Sequence, residues 1–197
     1  GVLNNAQRIR GQELFMDMLI NPEGTKNLLG SVCITMIDAA KILQQIQNKS
    51  GVEYTFFTVS NCLVNMLSPE LYHEFILPFD IQIADNFETI GIHNCAWNAN
   101  PYLEDYASVP KVAYIDMGIE SDLDNARELF PKTRRALMYT PMNLANKPFY
   151  DIRNDLELIA EKYGSCDIVA ADIEHGTPDH KVSDFIHLCE EISIKNQ

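Results

Sequence analysis

Residues 111–140 read KVAYIDMGIESDLDNARELFPKTRRALMYT. Residues 111–117 carry the apolar and aromatic side chains of a strand. Ser121, with Asp122 and Asp124 in the first turn, caps a helix that runs to Phe130, and residues 135–140 form a second apolar strand. A helix between two strands is the crossover that parallel pairing requires, and such crossovers are right-handed. The unit recurs in both directions. Upstream, residues 53–60 (EYTFFTVS) and 88–92 read as strands, and downstream residues 167–171 do. Between and around them the pattern predicts helices over 13–20, after a loop at the start of the chain, and over 22–48, with Leu28, Leu29, Val32, Met36, Ala39, Leu43 and Ile46 at helical spacing. Further helices are expected over 68–86, opened by Ser68-Pro69-Glu70 and kinked at Pro78, over 102–107 and over 151–163. A last helix follows Thr177-Pro178-Asp179, with Val182, Phe185, Ile186, Cys189 and Ile192 on one face.

Strict alternation of strand and helix makes the fold α/β with a parallel sheet, either an open doubly wound sheet or a (β/α) TIM-type barrel. No GxGxxG or GxxxxGK[ST] follows any strand, so neither a dinucleotide fingerprint nor a P-loop favours the open sheet. The barrel is preferred. Eight βα units take about 250 residues, so five units in 197 residues predict an incomplete barrel, a single domain over 1–197 whose remaining part lies outside the chain. The exposed edges of such a sheet predict a homo-oligomer or association with a missing N-terminal half.

Lys and Arg number 15 against 28 Asp and Glu, a net charge of −13. Phosphate binding rests on clustered basic residues, so nucleic acid and anionic membrane are poor partners. Apolar runs such as residues 112–115 and 168–171 are far shorter than the roughly 20 residues of a spanning helix, and residues 1–10 lack the apolar core of a signal peptide. The expectation is a cytosolic protein. Its five cysteines, Cys33, Cys62, Cys95, Cys166 and Cys189, are scattered without a CxxC pair, which fits reduced thiols, most of them packed as small core residues.

Chemistry-bearing residues gather where each strand passes into its following loop, the ligand edge in either architecture. They are His93-Asn94-Cys95, Asp116, Tyr139 with Thr140, and Asp172-Ile173-Glu174-His175. His93 and Cys95 are two residues apart, so in extended backbone both face one side and can grip one ion. Zinc accepts that nitrogen and sulfur mixture, with a carboxylate oxygen able to complete the set. The alternative is a hydrogen-bonded histidine beside a buried cysteine. Asp172, Glu174 and His175 suit metal ligation or acid–base work, or else form a solvated loop ahead of a capped helix. Asp116 follows apolar residues, which predicts a buried carboxylate with a partner. His73, His180 and His187 read as solvated.

Four strings carry a family likeness: GVLNNAQRIRG at 1–11, MLSPELYHEFILPF at 66–79, IHNC at 92–95 and GTP at 176–178. Together they resemble the C-terminal portion of the uroporphyrinogen decarboxylase superfamily, and the His-x-Cys element resembles its corrinoid:coenzyme M methyltransferase branch. The resemblance implies a barrel enzyme of one-carbon metabolism with zinc as cofactor, held by His93, Cys95 and a third cysteine just ahead of Thr177-Pro178. The zinc ionises a small-molecule thiol, which takes a methyl group from a corrinoid (cobalamin) partner protein. The third cysteine is not there: Ala171 stands in its place, followed by Asp172. One reading gives the metal to His93, Cys95 and Asp172 or another carboxylate, with Asp116, Glu174 and Tyr139 as catalytic candidates. The other is a degenerate, non-catalytic corrinoid- or partner-binding module. Cys166, at the far end of its strand, is not expected to substitute. A true decarboxylase is disfavoured, because the substrate-gripping arginines belong to the family's N-terminal part and tetrapyrrole carboxylates sit badly on a charge of −13.

Overall fold

A computed structural model describes residues 1–53 and 55–196. Its elements in chain order are α1 (Val2–Arg10), α2 (Glu13–Ile20), α3 (Pro22–Lys49), β1 (Phe56–Ser60), α4 (Pro69–Phe75), α5 (Leu77–Asn86), β2 (Thr89–His93), α6 (Leu103–Ser108), β3 (Val112–Met117), α7 (Leu123–Leu129), β4 (Arg134–Met138), α8 (Pro141–Asn146), α9 (Phe149–Lys162), β5 (Asp167–Val169) and α10 (Asp179–Lys195). Five parallel strands form one sheet in the order β1-β2-β3-β4-β5. A doubly wound sheet reverses its strand order part-way, at the point where its ligand binds. This order never reverses, so the architecture is that of part of a (β/α) barrel. Among the described residues no helix is long and apolar enough to cross a membrane.

The chain divides into two compact units, residues 1–94 with 101–114 and residues 95–100 with 115–197. In the first, β1 and β2 pair from Phe56 opposite Thr89 to Ser60 opposite His93. Side chains alternate across the sheet; Val59, opposite Ile92, and Ile90, opposite Phe57, share one alternating set, in which Val59, Ile90 and Ile92 are buried, and Phe57 stacks on Phe87 at 4.6 Å between ring centroids. Helix α3 buries Leu29, Val32, Cys33, Ile37 and Ala40, whereas Leu43 and Ile46 of the expected stripe are exposed. The helix expected over 68–86 is two helices. Pro78 lacks an N–H and its ring collides with the carbonyl four residues back, so the chain breaks at Ile76. The start of the chain is a helix, where a loop was expected: Val2, Leu3 and Ala6 form a short buried face masked by the asparagines between them. Tyr54, in the first expected strand, lies outside the described residues.

In the second unit β4 and β5 pair from Ala136 opposite Asp167 to Met138 opposite Val169. Strand β5 stops at Val169, two residues short of the expected end, and Asp172 soon after takes a left-handed φ of 54°. Helix α7 is capped by Asp122, whose side chain accepts from the Asn125 N–H at 3.0 Å; Ser121 instead accepts from the Ala99 N–H at 3.0 Å. Helix α8 was not foreseen, although Thr140-Pro141 is a cap followed by proline at the first helical position.

Candidate metal centre

Strand register sets the geometry. Ser60 lies opposite His93 at the C-terminal ends of β1 and β2. Cys62 stands two residues past Ser60 and Cys95 two residues past His93. One ligand atom from each of Cys62, His93 and Cys95 falls within 4.8 Å of the others, and all three side chains are half-buried. Ligands of a tetrahedral zinc at bond lengths of about 2.0–2.3 Å lie roughly 3.3–3.8 Å apart, so small side-chain rotations bring this group to ligation. Two sulfurs and one imidazole nitrogen are a donor set that suits a borderline metal ion such as zinc.

The loop after β1 is held on both sides of Cys62. The Asn61 N–H donates to the His93 carbonyl at 2.8 Å, joining the two ligand-bearing strand ends. The Asn61 side chain donates to Asp80 Oδ2 at 2.7 Å, the Leu63 N–H donates to Asn4 Oδ1 at 3.3 Å, and Tyr102 places its hydroxyl 2.9 and 2.8 Å from the carbonyls of Val64 and Leu67. The Ser60 hydroxyl and the Cys62 sulfur share a hydrogen bond at 3.1 Å. After β2, Asn94 is fully buried and accepts from the Tyr106 hydroxyl at 2.9 Å.

Cys95 sits at φ 60°, a left-handed backbone that a cysteine adopts at a cost of order 1–3 kcal/mol. Its loop lies directly on the chain after β3. A β-carbon on Gly118 would collide with the Ala96 carbonyl, and the Gly118 N–H donates to the Trp97 carbonyl at 2.9 Å.

No protein-family model matches the chain, and neither does any curated protein. Among solved structures it is similar to a methyltransferase from Methanosarcina mazei, with a TM-score of 0.74 and 16% identity over 98% of this chain. The likeness is one of fold. The chain spans 57% of the length of that methyltransferase.

Of the residues singled out in the sequence, His93 and Cys95 come together, and the third member of their group is Cys62. Asp172, which the sequence reading set beside them, is not in that group; it is exposed, as are Glu174 and His175, in the loop after β5. Asp116 is buried on β3 at 1% exposure. Tyr139 is buried too, and its hydroxyl donates at 2.7 Å to Asp155, which Lys147 also meets at 2.6 Å. Burial, and then that hydrogen bond, push the Tyr139 phenol well above its ordinary range, so it stays protonated at neutral pH. Burial likewise pushes the thiols of Cys33, Cys166 and Cys189 up to about 11. These three remain neutral, as packed thiols should. Exposed His73 pairs with Asp105 at 2.8 Å. Cys62 is the residue that sequence reasoning passed over. Its signal was its offset of two from the end of a strand, the same offset that marks Cys95.

Proposed function

We propose that the chain is part of an enzyme that transfers a methyl group from a corrinoid-bound donor to a small thiol, at a metal held by Cys62, His93 and Cys95. The convergence of those three side chains at the C-terminal ends of two parallel strands carries the reading. It is supported by the fold shared with a methyltransferase and by the strings at 66–79 and 92–95. Zinc bound there supplies a Lewis acid that ionises an incoming thiol near neutral pH.

The chain's own residues prepare that chemistry. His93 would give a neutral donor and Cys62 and Cys95 two anionic ones, a soft set suited to a metal that also takes a thiol. The Ser60 hydroxyl, 3.1 Å from Cys62, can donate to its sulfur and moderate the charge there. In the transfer the substrate sulfur forms a bond to the methyl carbon as the carbon–cobalt bond breaks. The electron pair of that bond stays with cobalt, and the thiol proton passes to solvent. With Cys62 in the group, the set needs no oxygen ligand despite Ala171.

The test uses zinc-loaded chain with methylcobalamin and a small thiol. Methyl transfer is expected to rise with pH through the thiol's lowered pKa and to fall at least about 100-fold on Cys62→Ala, His93→Ala or Cys95→Ala. Zinc-loaded protein that methylates no thiol, alone or with the rest of the barrel supplied, contradicts the reading.

A further inference from the structure

We propose that Asp80 is a positioning residue of the metal centre, fixing the Cys62 loop through Asn61. The inference rests on the reading of Cys62, His93 and Cys95 as ligands. Asp80 lies in α5, fully buried, and among the described residues no Lys or Arg forms an ion pair with it. A lone carboxylate inside a protein is costly unless hydrogen bonds compensate it. The compensation comes from two donors on the same oxygen: Asn61 Nδ2 at 2.7 Å and the Tyr72 hydroxyl at 2.9 Å.

Asn61 is the hinge of the argument. It precedes Cys62, and its N–H holds the carbonyl of His93, so one residue links both ligand-bearing strand ends. Asn61 is fully buried, and its side-chain carbonyl oxygen has no partner among the described residues. The amide is therefore oriented by the bond from its nitrogen to Asp80. Without the acceptor, a buried amide loses that bond and the segment carrying Cys62 can turn to satisfy it elsewhere. Partners one step removed from a metal ligand commonly change metal affinity 10–100-fold when removed. Asp80 reaches the centre in that way, through Asn61.

Cobalt(II) titration of the full chain tests this without any activity assay, because sulfur-to-cobalt charge-transfer and d–d bands report ligand geometry directly. The parent should bind cobalt with the bands of a tetrahedral, sulfur-rich site. Asp80→Ala should weaken binding about ten-fold or more and shift the bands. Asp80→Asn, which keeps an acceptor oxygen for Asn61, should stay within a few-fold of the parent. If Asp80→Ala does not fold, Asn61→Ala carries the same expectation. Parental affinity and bands in Asp80→Ala or in Asn61→Ala overturn the positioning role and leave the centre standing. An equal loss in Tyr72→Phe, which spares the Asn61–Asp80 bond, marks general loosening and also overturns it. Failure of the folded parent to bind cobalt overturns the centre itself and this inference with it.

Discussion

At the scale of single residues, Asp80 shows what burial does to a charge. Burial pushes its carboxyl up to about 6, against the opposing pull of the Asn61 and Tyr72 hydrogen bonds. An unfolded aspartate titrates near 3.9, so the folded state binds the proton more tightly than the unfolded one. Its contribution to stability is then greatest below about pH 4, declines as pH rises through about 6, and is flat above, a loss on the order of 2–3 kcal/mol. Asp80→Asn removes this dependence. Its urea midpoint should gain on the parent's steadily between pH 4 and pH 6 and hold that gain to pH 8; profiles that run parallel would count against it. The ligands illustrate how far one residue can be read from sequence. His93 and Cys95 were legible because two residues of extended chain put both on one side. Cys62 has the same two-residue offset from its strand end, but its nearness to them depends on the register of β1 against β2, a long-range fact that the offset alone does not encode.

Elements were legible where the pattern was local. The five strands and most helices follow apolar periodicity, Ser68 accepts from the Leu71 N–H at 3.3 Å as its place before a proline suggests, and Pro78 breaks its helix. Missed or misplaced features had weak or competing local signals. Helix α1 hides a three-residue buried face among asparagines, α8 is a single capped turn and a half, and the cap of α7 falls on Asp122 because Ser121 is already engaged with Ala99. The same element logic yields a test of the Cys95 loop. Gly118 lets that loop rest on the chain after β3, and any side chain there must push Ala96 away. Gly118→Ala should destabilise the protein by about 1–3 kcal/mol and weaken metal binding with all three ligands intact. Thermal melting and a zinc competition assay measure the two effects, and a variant equal to the parent in both would refute this account of the loop.

For the molecule as a whole, the strand order leaves β1 and β5 each paired on one side only among the described residues. Open edges recruit other strands, and the exposed Ile42, Leu43 and Ile46 of α3 add apolar surface, 58%, 60% and 54% accessible. We therefore expect sedimentation to show self-association that grows with concentration, or capture of a segment supplying the rest of the barrel; a concentration-independent monomer with no tendency to aggregate would oppose this. The methyl-transfer reading depends on one thing before all others, that the chain holds a metal with Cys62, His93 and Cys95. Elemental analysis of protein purified with zinc present tests it most directly. The account predicts one zinc per chain, lost in Cys62→Ala, His93→Ala and Cys95→Ala and retained in Asp172→Ala, whereas metal-free parent protein, or zinc that survives Cys62→Ala undiminished, would contradict it.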